Sequence, residues 1–288
     1  MRGVQGKKVL QVFWVEYVQW ITNPKLLMFV VLLVFIRELV ILPILRAAQL
    51  MDTPINMWEP CIAVGNSGII LLFLPVFYMM LMSDFPKLNN NMFYFIPRVG
   101  RKNWFAGQLL FQAAAAATYL MVIIVSTLLQ VMHTAYGLNG WSLVVTRFSS
   151  SSFESQVDMA NLVPLNLYYQ MPPLTAFIYT YILLFLYLSL LNCMMLIGFM
   201  FGKKVWSFFL SIIIIGVGMG FAALKSGYMW FFPSAHAILW LHCQSYYRKY
   251  VFSPELSILI LGGVCILCIL YSGRKFRNVN LDNIMENA

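Results

Sequence analysis

Long apolar runs alternate with short polar connectors along this chain, and the runs predict its architecture. Six of them are long enough to cross a bilayer as helices: 26–50, 61–83, 107–132, 173–201, 206–224 and 255–272. In lipid the backbone must bond to itself, and the Leu, Ile, Met and Phe content of these runs favours helices over a barrel. Hydrophobic residues make up 61% of the chain and charged residues 10%, whereas soluble domains carry roughly a quarter charged residues. We therefore predict an all-α polytopic membrane protein, with one transmembrane domain of six spans over residues 1–288.

Residues 4–21 predict an amphipathic helix that lies in the membrane interface and does not cross. Its apolar face carries Leu10, Phe13, Trp14, Tyr17, Trp20 and Ile21 at helical spacing. Its polar face carries Gln5, Lys8, Gln11, Glu16 and Gln19. Asn23 and Pro24 then provide the N-cap and first turn of the next helix, and Ser253 and Pro254 do the same for the last span.

Basic residues are unevenly divided between the connectors, and this sets the predicted orientation. If the N-terminus is cytoplasmic, the cytoplasmic side holds 13 of the 19 Lys and Arg residues: Arg2, Lys7, Lys8, Lys25, Lys87, Arg98, Arg101, Lys102, Lys203, Lys204, Arg274, Lys275 and Arg277. Positive charge marks the cytoplasmic side of membrane proteins. We therefore expect both termini in the cytoplasm, in a bacterial plasma membrane. The same bias accounts for the net charge of +9 without a nucleic-acid partner.

Two long connectors complete the predicted topology. Residues 226–243 are uncharged and nearly long enough to cross, but a crossing would place the basic tail 274–277 outside. His236 and His242 would also be costly in a span that faces lipid. We therefore predict a re-entrant or interfacial segment before the last span. Residues 133–172 are predicted to form an extracellular loop.

The histidines and cysteines do not combine into a recognisable catalytic or metal site. Phe232 and His236 form an F-x-x-x-H pattern, which is similar to one element of the CAAX-type intramembrane proteases. That family also needs paired glutamates, and the sequence contains no Glu-Glu. Without a carboxylate to activate water or complete a metal site, we predict no catalytic residue and no metal ligand. Cys265 and Cys268, within the last span, are interpreted as packing thiols.

Arg37 and Glu38 are predicted to lie near mid-depth, or in the outer half, of the first span. Charged residues at such depth normally face protein or water. Two interpretations remain open. The pair forms a gate or a substrate contact, or it pairs with other buried polar groups such as Asn66, Gln112 or Asn192.

The connector between spans two and three, residues 84–103, is both aromatic and basic. It holds Phe93, Tyr94 and Phe95, followed by the stretch Pro97-Arg98-Val99-Gly100-Arg101-Lys102. One interpretation is that its basic residues, with the adjoining Trp104, anchor the base of span three at the membrane surface. The other is a cytoplasmic docking element, because the aromatic side chains need a surface to cover them.

The interfacial N-terminal helix, the six spans, this connector and the segment before span six together resemble the membrane subunits of ABC-2-type ABC transporters. The stretch from Arg98 to Gln108 is similar to that family's Arg-x-x-Arg entry into its third span. The resemblance implies that the connector seats on a separate cytoplasmic ATPase through Phe93, Tyr94, Phe95, Arg98 and Arg101. ATP and Mg²⁺ would bind to that ATPase, so this chain is expected to hold no cofactor and to be no enzyme. It contains no G-x-x-x-x-G-K-[ST] phosphate loop.

The resemblance further implies an exporter, completed by a second copy or a paralogous membrane subunit. Spans two and five would line its cavity, with Asn66, Phe73, Phe77, Phe208 and Phe209 as candidate substrate contacts. A strongly apolar wall suits an amphipathic or hydrophobic substrate, such as a peptide, an antibiotic or a lipid-like molecule. The alternative is a non-transporting polytopic membrane protein, either an intramembrane enzyme or an accessory immunity protein.

Overall fold

The computed structural model describes residues 5–87, 92–150, 162–244 and 249–278, which fold almost entirely into helices. The helices are α1 Gly6–Ile21, α2 Leu26–Met51, α3 Trp58–Asn66, α4 Gly68–Leu81, α5 Met92–Val99, α6 Arg101–Val131, α7 Leu143–Ser150, α8 Leu165–Gln170, α9 Pro173–Met200, α10 Lys204–Ala223, α11 Pro233–Ala237 and α12 Pro254–Asn278. Two short strands, β1 Ile55–Asn56 and β2 Ala135–Tyr136, pair in parallel. The predicted all-α class is confirmed.

Five of the described helices are long and apolar enough to cross a bilayer, namely α2, α6, α9, α10 and α12. Helices α3 and α4 meet the same criterion only as a pair, and they are bent by 78° relative to each other. The predicted span 61–83 is thus a broken helix pair and not one continuous helix.

The bend between α3 and α4 has a local cause in the run from Gly65 to Gly68. Its glycine, asparagine and serine residues are poorer helix formers than the aliphatic residues around them. Ser67 leaves the helical region with φ −68° and ψ 123°. Gly65 has no room for a side chain, because a Cβ there would collide with Thr180 of α9. As a result α3 packs on α9, while α4 turns towards α2 and α10.

The connectors between the long helices gather at two ends of the bundle. At the end that carries α1, Lys25 before α2 pairs with Asp84 after α4. At the other end, the Asn56 side chain of β1 donates to the carbonyl of Leu138 after β2. These are named the α1 end and the opposite end below.

Helix α9 is central, in contact with α3, α4, α6, α10 and α12. The outer helices instead expose large apolar side chains: Leu27, Val30 and Val34 on α2, Leu210 and Ile213 on α10, and Leu259 and Ile266 on α12. Contiguous apolar surface of this extent is unusual on soluble monomers. Lipid contact accounts for it, and the chain is a multi-pass membrane protein.

Helix α1 lies against α6 with part of its polar side turned towards the protein. Val12 and Glu16 are buried, and Gln108 Nε2 of α6 donates a 2.8 Å hydrogen bond to Glu16 Oε1. Leu10 and Trp14 are 57% and 62% exposed. The predicted apolar face is therefore divided: Leu10 and Trp14 point away from the bundle, whereas its other aromatic residues pack against the protein, namely Phe13, Tyr17 and Trp20.

One of the two predicted N-caps is confirmed. Ser253 Oγ accepts the N–H of Leu256 at 3.3 Å, and this satisfies one backbone donor that the first turn of α12 leaves free. The prediction for α2 was wrong by two residues, because α2 begins at Leu26 with Lys25 as its N-cap residue. Asn23 Oδ1 accepts the N–H of Lys25 at 3.0 Å in the turn before the helix.

The two long connectors hold more structure than expected. Residues 84–103 contain α5 and the first residues of α6, which starts six residues before the predicted span. Gly100 separates the two helices with φ +91°, a conformation that favours glycine. Residues 133–172 contain β2, α7 and α8 in their described part.

Candidate functional site

Helix α5 lies at the α1 end, within the connector predicted to couple to an ATPase. Ile96 and Val99 are buried against the protein, whereas Arg98 is exposed. Asn103 of α6 holds the end of α5, since its Nδ2 donates to the Val99 carbonyl at 2.7 Å. Asn103 Oδ1 also accepts the N–H of Gln5, at 2.9 Å. The described C-terminal half of the short helix is thus fixed on the side of Ile96 and Val99 and exposed on the side of Arg98.

The five predicted coupling residues fall on α5 and at the start of α6. Arg98 is exposed on α5, and Arg101 is exposed as the first residue of α6. Phe93, Tyr94 and Phe95 belong to α5, but their side chains lie outside the described residues. Their contact with a partner stays a prediction.

Asp84 ties the chain before α5 to two long helices. Its Oδ2 lies 2.8 Å from Lys25 Nζ, next to the start of α2. Lys204 Nζ, at the start of α10, donates to the carbonyls of Asp84 and Pro86. Partial burial opposes ionisation of Asp84, but the hydrogen bond and charge of Lys25, with the charge of Lys204, hold the pKa of this carboxyl below its ordinary value. Charged contacts therefore join the connector to α2 and α10.

A cavity of about 30 Å³ lies behind this anchor, and its lining includes Glu16, Gln19, Trp20 and Asp84. Such a volume holds one or two water molecules. Gln19 Oε1 and Trp20 Nε1 are buried without a hydrogen-bond partner among the described residues. Burial raises the pKa of the Glu16 carboxyl, against the opposing effect of the hydrogen bond from Gln108. Polar groups thus surround a space of the right size for water.

Four of the predicted cavity residues form one aromatic pair on α4 and another on α10, and these helices contact each other. The rings of Phe73 and Phe77 meet edge-on at 6.3 Å, and Phe73 also stacks on Phe35 of α2 at 5.6 Å. The rings of Phe208 and Phe209 meet edge-on at 5.9 Å, with Phe209 55% exposed. A substrate contact at these rings stays a prediction.

Asn66, the remaining predicted cavity residue, is buried at the bend between α3 and α4. Its Nδ2 donates to the Ile62 carbonyl at 2.8 Å and to Thr180 Oγ1 at 3.3 Å. Its Oδ1 accepts the N–H of Trp240 at 3.3 Å. These bonds join the bend to α9 and to the segment before the last long helix.

Arg37 and Glu38 lie in a π-helical turn, Arg37–Ile41, in the middle of α2. Both side chains are exposed, and the described residues offer neither of them an ion pair. The polar residues considered as their partners bond elsewhere: Asn66 to Thr180, Gln112 to Cys193 and Asn192 to Tyr78. The pair therefore faces outward from the chain at mid-helix.

His236, His242 and Ser257 form a buried polar cluster for which the sequence showed no motif. Ser257 Oγ lies 2.8 Å from both His236 Nδ1 and His242 Nε2. The other ring nitrogens donate to the carbonyls of Trp230 at 2.9 Å and Ile238 at 3.0 Å. In the neutral rings, the nitrogens that face Ser257 are therefore acceptors.

The protonation of these histidines follows from their surroundings. Burial lowers the pKa of both imidazoles, that of His242 to about 4. Both rings are then neutral at pH 7, and the single hydroxyl proton of Ser257 serves two acceptors. The cluster fixes the segment 227–243 to the start of α12. Ser257 was not recognisable from the sequence because it lies 21 residues from His236.

Glu59 is a second buried polar centre without a sequence motif, located at the opposite end. Its side chain is fully buried, and Oε1 accepts the N–H of Ser142 at 2.5 Å. Its Oε2 accepts the Ser142 hydroxyl at 2.7 Å and the N–H of Asn56 at 3.2 Å. The carboxylate thereby holds β1 to the start of α7. Its place as an acidic residue in the first turn of a helix is the one sequence signal it carries.

The long apolar helices of the chain, together with their exposed apolar side chains, are those of a multi-pass membrane protein. Comparison with the models of known protein families, with curated proteins and with solved structures found nothing that matches this chain.

Proposed function

We propose that this chain is the membrane-spanning subunit of an ATP-driven exporter of the ABC-2 type in a bacterial plasma membrane. In this proposal α3 and α4 together form the second of six spans. The α1 end and both termini are cytoplasmic, and residues 133–172 are extracellular. Residues 227–243 re-enter the membrane or lie in its interface, since their three helical turns have only four or five residues each.

The position of α5 is the observation that carries the proposal. The described C-terminal half of this short helix is buried on one side and exposes Arg98 on the other, and along the chain the helix lies between α4 and α6. Through Asp84, the connector that leads to it contacts Lys25 and Lys204, at the starts of α2 and α10. A subunit seated on α5 would therefore be linked to both helices through the chain that leads from Asp84 to α5. An exporter needs such a link when a separate cytoplasmic subunit binds ATP and Mg²⁺.

The substrate class follows from the aromatic side chains of α4 and α10. Phe73, Phe77, Phe208 and Phe209 would present an apolar wall to a molecule that passes between the helices. An amphipathic or hydrophobic substrate fits this wall, whether peptide, antibiotic or lipid-like. A second copy or a paralogous membrane subunit would complete the transport path.

The alternative of a non-transporting membrane protein gains little from the buried serine and histidines. Ser257 is fully buried, so a substrate has no access to its hydroxyl. Each imidazole is oriented by a backbone carbonyl, whereas hydrolases of the serine–histidine type use a carboxylate for this purpose. The cluster therefore fits a structural role better than an intramembrane enzyme, and none of the contacts among the described residues favours an immunity protein.

The test is association with an ATPase. Phe93→Ala combined with Phe95→Ala should leave membrane insertion intact but weaken capture of the ATPase and lower export, because aromatic anchors supply much of the energy of an interface. The matched control is Tyr228→Ala with Phe231→Ala, which removes two exposed aromatic side chains at the opposite end. Full capture and export in the first variant would refute coupling through α5. Failure of the wild-type chain to capture any ATPase would refute the exporter.

A further inference from the structure

Arg37 and Glu38 lie at mid-depth in α2 and face away from the rest of the chain. They are the twelfth and thirteenth residues of a helix of 26. With a rise of 1.5 Å per residue, Arg37 is about 17 Å from the first residue of α2 and about 21 Å from the last. Charges at this depth are costly in hydrocarbon and are found facing protein or water. The exposed side of α2 therefore needs a covering other than lipid.

The two charges flank an exposed apolar stripe on α2. Leu27, Val30 and Val34 form this stripe and are 71%, 55% and 54% exposed. At about 100° per residue, Arg37 lies roughly 60° to one side of Val34, and Glu38 roughly 40° to the other. One flank of the stripe is thus positive, and the other is negative.

We propose that a second copy of this chain packs on this stripe, so that Arg37 pairs with the partner's Glu38. In a pair with its two-fold axis along the membrane normal, residues at the same depth meet, and each flank of one helix faces the opposite flank of its partner. The positive flank of each copy then meets the negative flank of the other. Both ion pairs form by symmetry, and the stripe fills the space between them.

Other coverings fit the same surface less well. Lipid would leave both charges unpaired. A water-filled path would hydrate the charges but would also wet Leu27, Val30 and Val34. The exposed middles of α10 and α12 carry apolar residues such as Ile213 and Ile266, without a charge in the part of the chain that the structure describes. Self-complementary charge is therefore particular to α2. The inference extends the proposed function, in which a second copy is one of two candidates to complete the transport path. Its test needs no ATPase, so the dimer and the exporter can each fail alone.

Cysteine cross-linking in membranes tests the interface with the full chain. Val34→Cys should give a cross-linked homodimer, because the two-fold axis places this residue opposite its own copy. Ile266→Cys is the control, since it is similarly exposed near the middle of α12. The wild-type chain shows how much dimer its five native cysteines give by themselves. A dimer yield from Val34→Cys no higher than that of Ile266→Cys or of the wild-type chain would overturn the proposal. A cross-link to a protein of different mass would overturn it as well.

Charge reversal tests the ion pairs in the Val34→Cys background. Arg37→Glu or Glu38→Arg alone places like charges opposite each other and should lower the dimer yield severalfold. The two reversals together recreate both pairs with exchanged positions and should restore most of the yield. The membrane level of each variant is measured, so that the yield refers to inserted protein. A double reversal no better than the single ones would exclude Arg37–Glu38 pairing between copies.

Discussion

Lys25 Nζ lies 2.8 Å from Asp84 Oδ2 and joins the start of α2 to the connector that follows α4. The side chains are 34% and 46% exposed, so solvent weakens the pair. Asp84→Asn should therefore cost only about 0.5–1 kcal/mol in free energy of unfolding at pH 7. Because the pKa of Asp84 is lowered in the folded protein, the charged pair contributes above the ordinary carboxyl pKa and is lost as the pH falls through the lowered value.

The measurement for Asp84 is the melting temperature of purified protein between pH 7 and about pH 3, below the ordinary carboxyl pKa. The difference between wild type and Asp84→Asn should shrink as the pH falls. Asp52→Asn removes an exposed carboxylate at the opposite end and serves as the control. A difference that stays constant over this range would show that the charge of Asp84 is not what stabilises the connector.

Glu16→Gln should stabilise the protein at neutral pH. Burial raises the pKa of Glu16, so the ionised carboxylate is disfavoured in the folded state. Its contribution is present below the ordinary carboxyl pKa and is lost as the pH rises through the raised value. Glutamine has no charge and still offers Gln108 an acceptor. We expect a melting temperature a few degrees above wild type at pH 7 and equal to it near pH 4.

Glu16→Ala is the companion variant, because it removes the hydrogen bond as well as the charge. It should be less stable than Glu16→Gln at every pH. If Glu16→Gln itself melts below wild type at pH 7, the ionised carboxylate contributes to stability in a way that burial does not explain.

Glu59→Gln should destabilise the opposite end by about 1–3 kcal/mol, since an amide group replaces an oxygen that accepts from buried donors. Ser142→Ala removes the hydroxyl but keeps the N–H of residue 142, and it should cost about 1 kcal/mol. The free energy of unfolding in detergent measures both effects. Equal effects from the two variants would mean that the backbone donors from Ser142 and Asn56 add little.

Acidification should weaken the attachment of residues 227–243. Burial lowers the folded-state pKa of His242 to about 4, while histidine in an unfolded chain titrates near pH 6.5. Neutral His242 therefore contributes stability above about pH 6.5, and this contribution is lost as the pH falls towards 4. The melting temperature of wild type should drop across this interval, and His242→Gln should flatten the curve. His133→Gln changes an exposed histidine and should leave the pH dependence of the melting temperature unchanged. If it flattens the curve as much as His242→Gln does, the effect cannot be assigned to His242.

Topology is tested with single reporter cysteines and a membrane-impermeant reagent. A cysteine in 140–160 should react from outside, and one in 88–92 should react only after the membrane is opened. The reverse pattern would contradict the proposed orientation. Labelling at residue 280 from outside would show that residues 226–243 cross the membrane.

The helical architecture was predictable because lipid leaves an apolar chain few alternatives. The cap at Ser253 was predictable because it depends only on residues within one turn. The low helix propensity of the run from Gly65 to Gly68 also indicated that the helix could break there. The 78° angle itself was not predictable, because the directions of α3 and α4 follow from their packing against α9, α2 and α10, which are distant in the sequence.

The candidate sites were less predictable, because their side chains come from distant parts of the chain. Gln108 reaches Glu16 across 92 positions, and Ser142 reaches Glu59 across 83. No periodicity or short motif encodes such pairs. Arg37 and Glu38 were identified because a charge inside an apolar run is conspicuous by itself. Their outward direction, however, depends on how all the other helices pack around α2.

The break at Ser67 divides the helix pair α3–α4 into two arms that meet at an angle of 78°. The α3 arm is wedged against α9, while the α4 arm ends near the anchored Asp84 at the α1 end. If a partner displaces the α1 end, as the proposed coupling requires, the break at Ser67 would let the α4 arm change its tilt without unwinding the α3 arm. A continuous helix would have to tilt over its whole length.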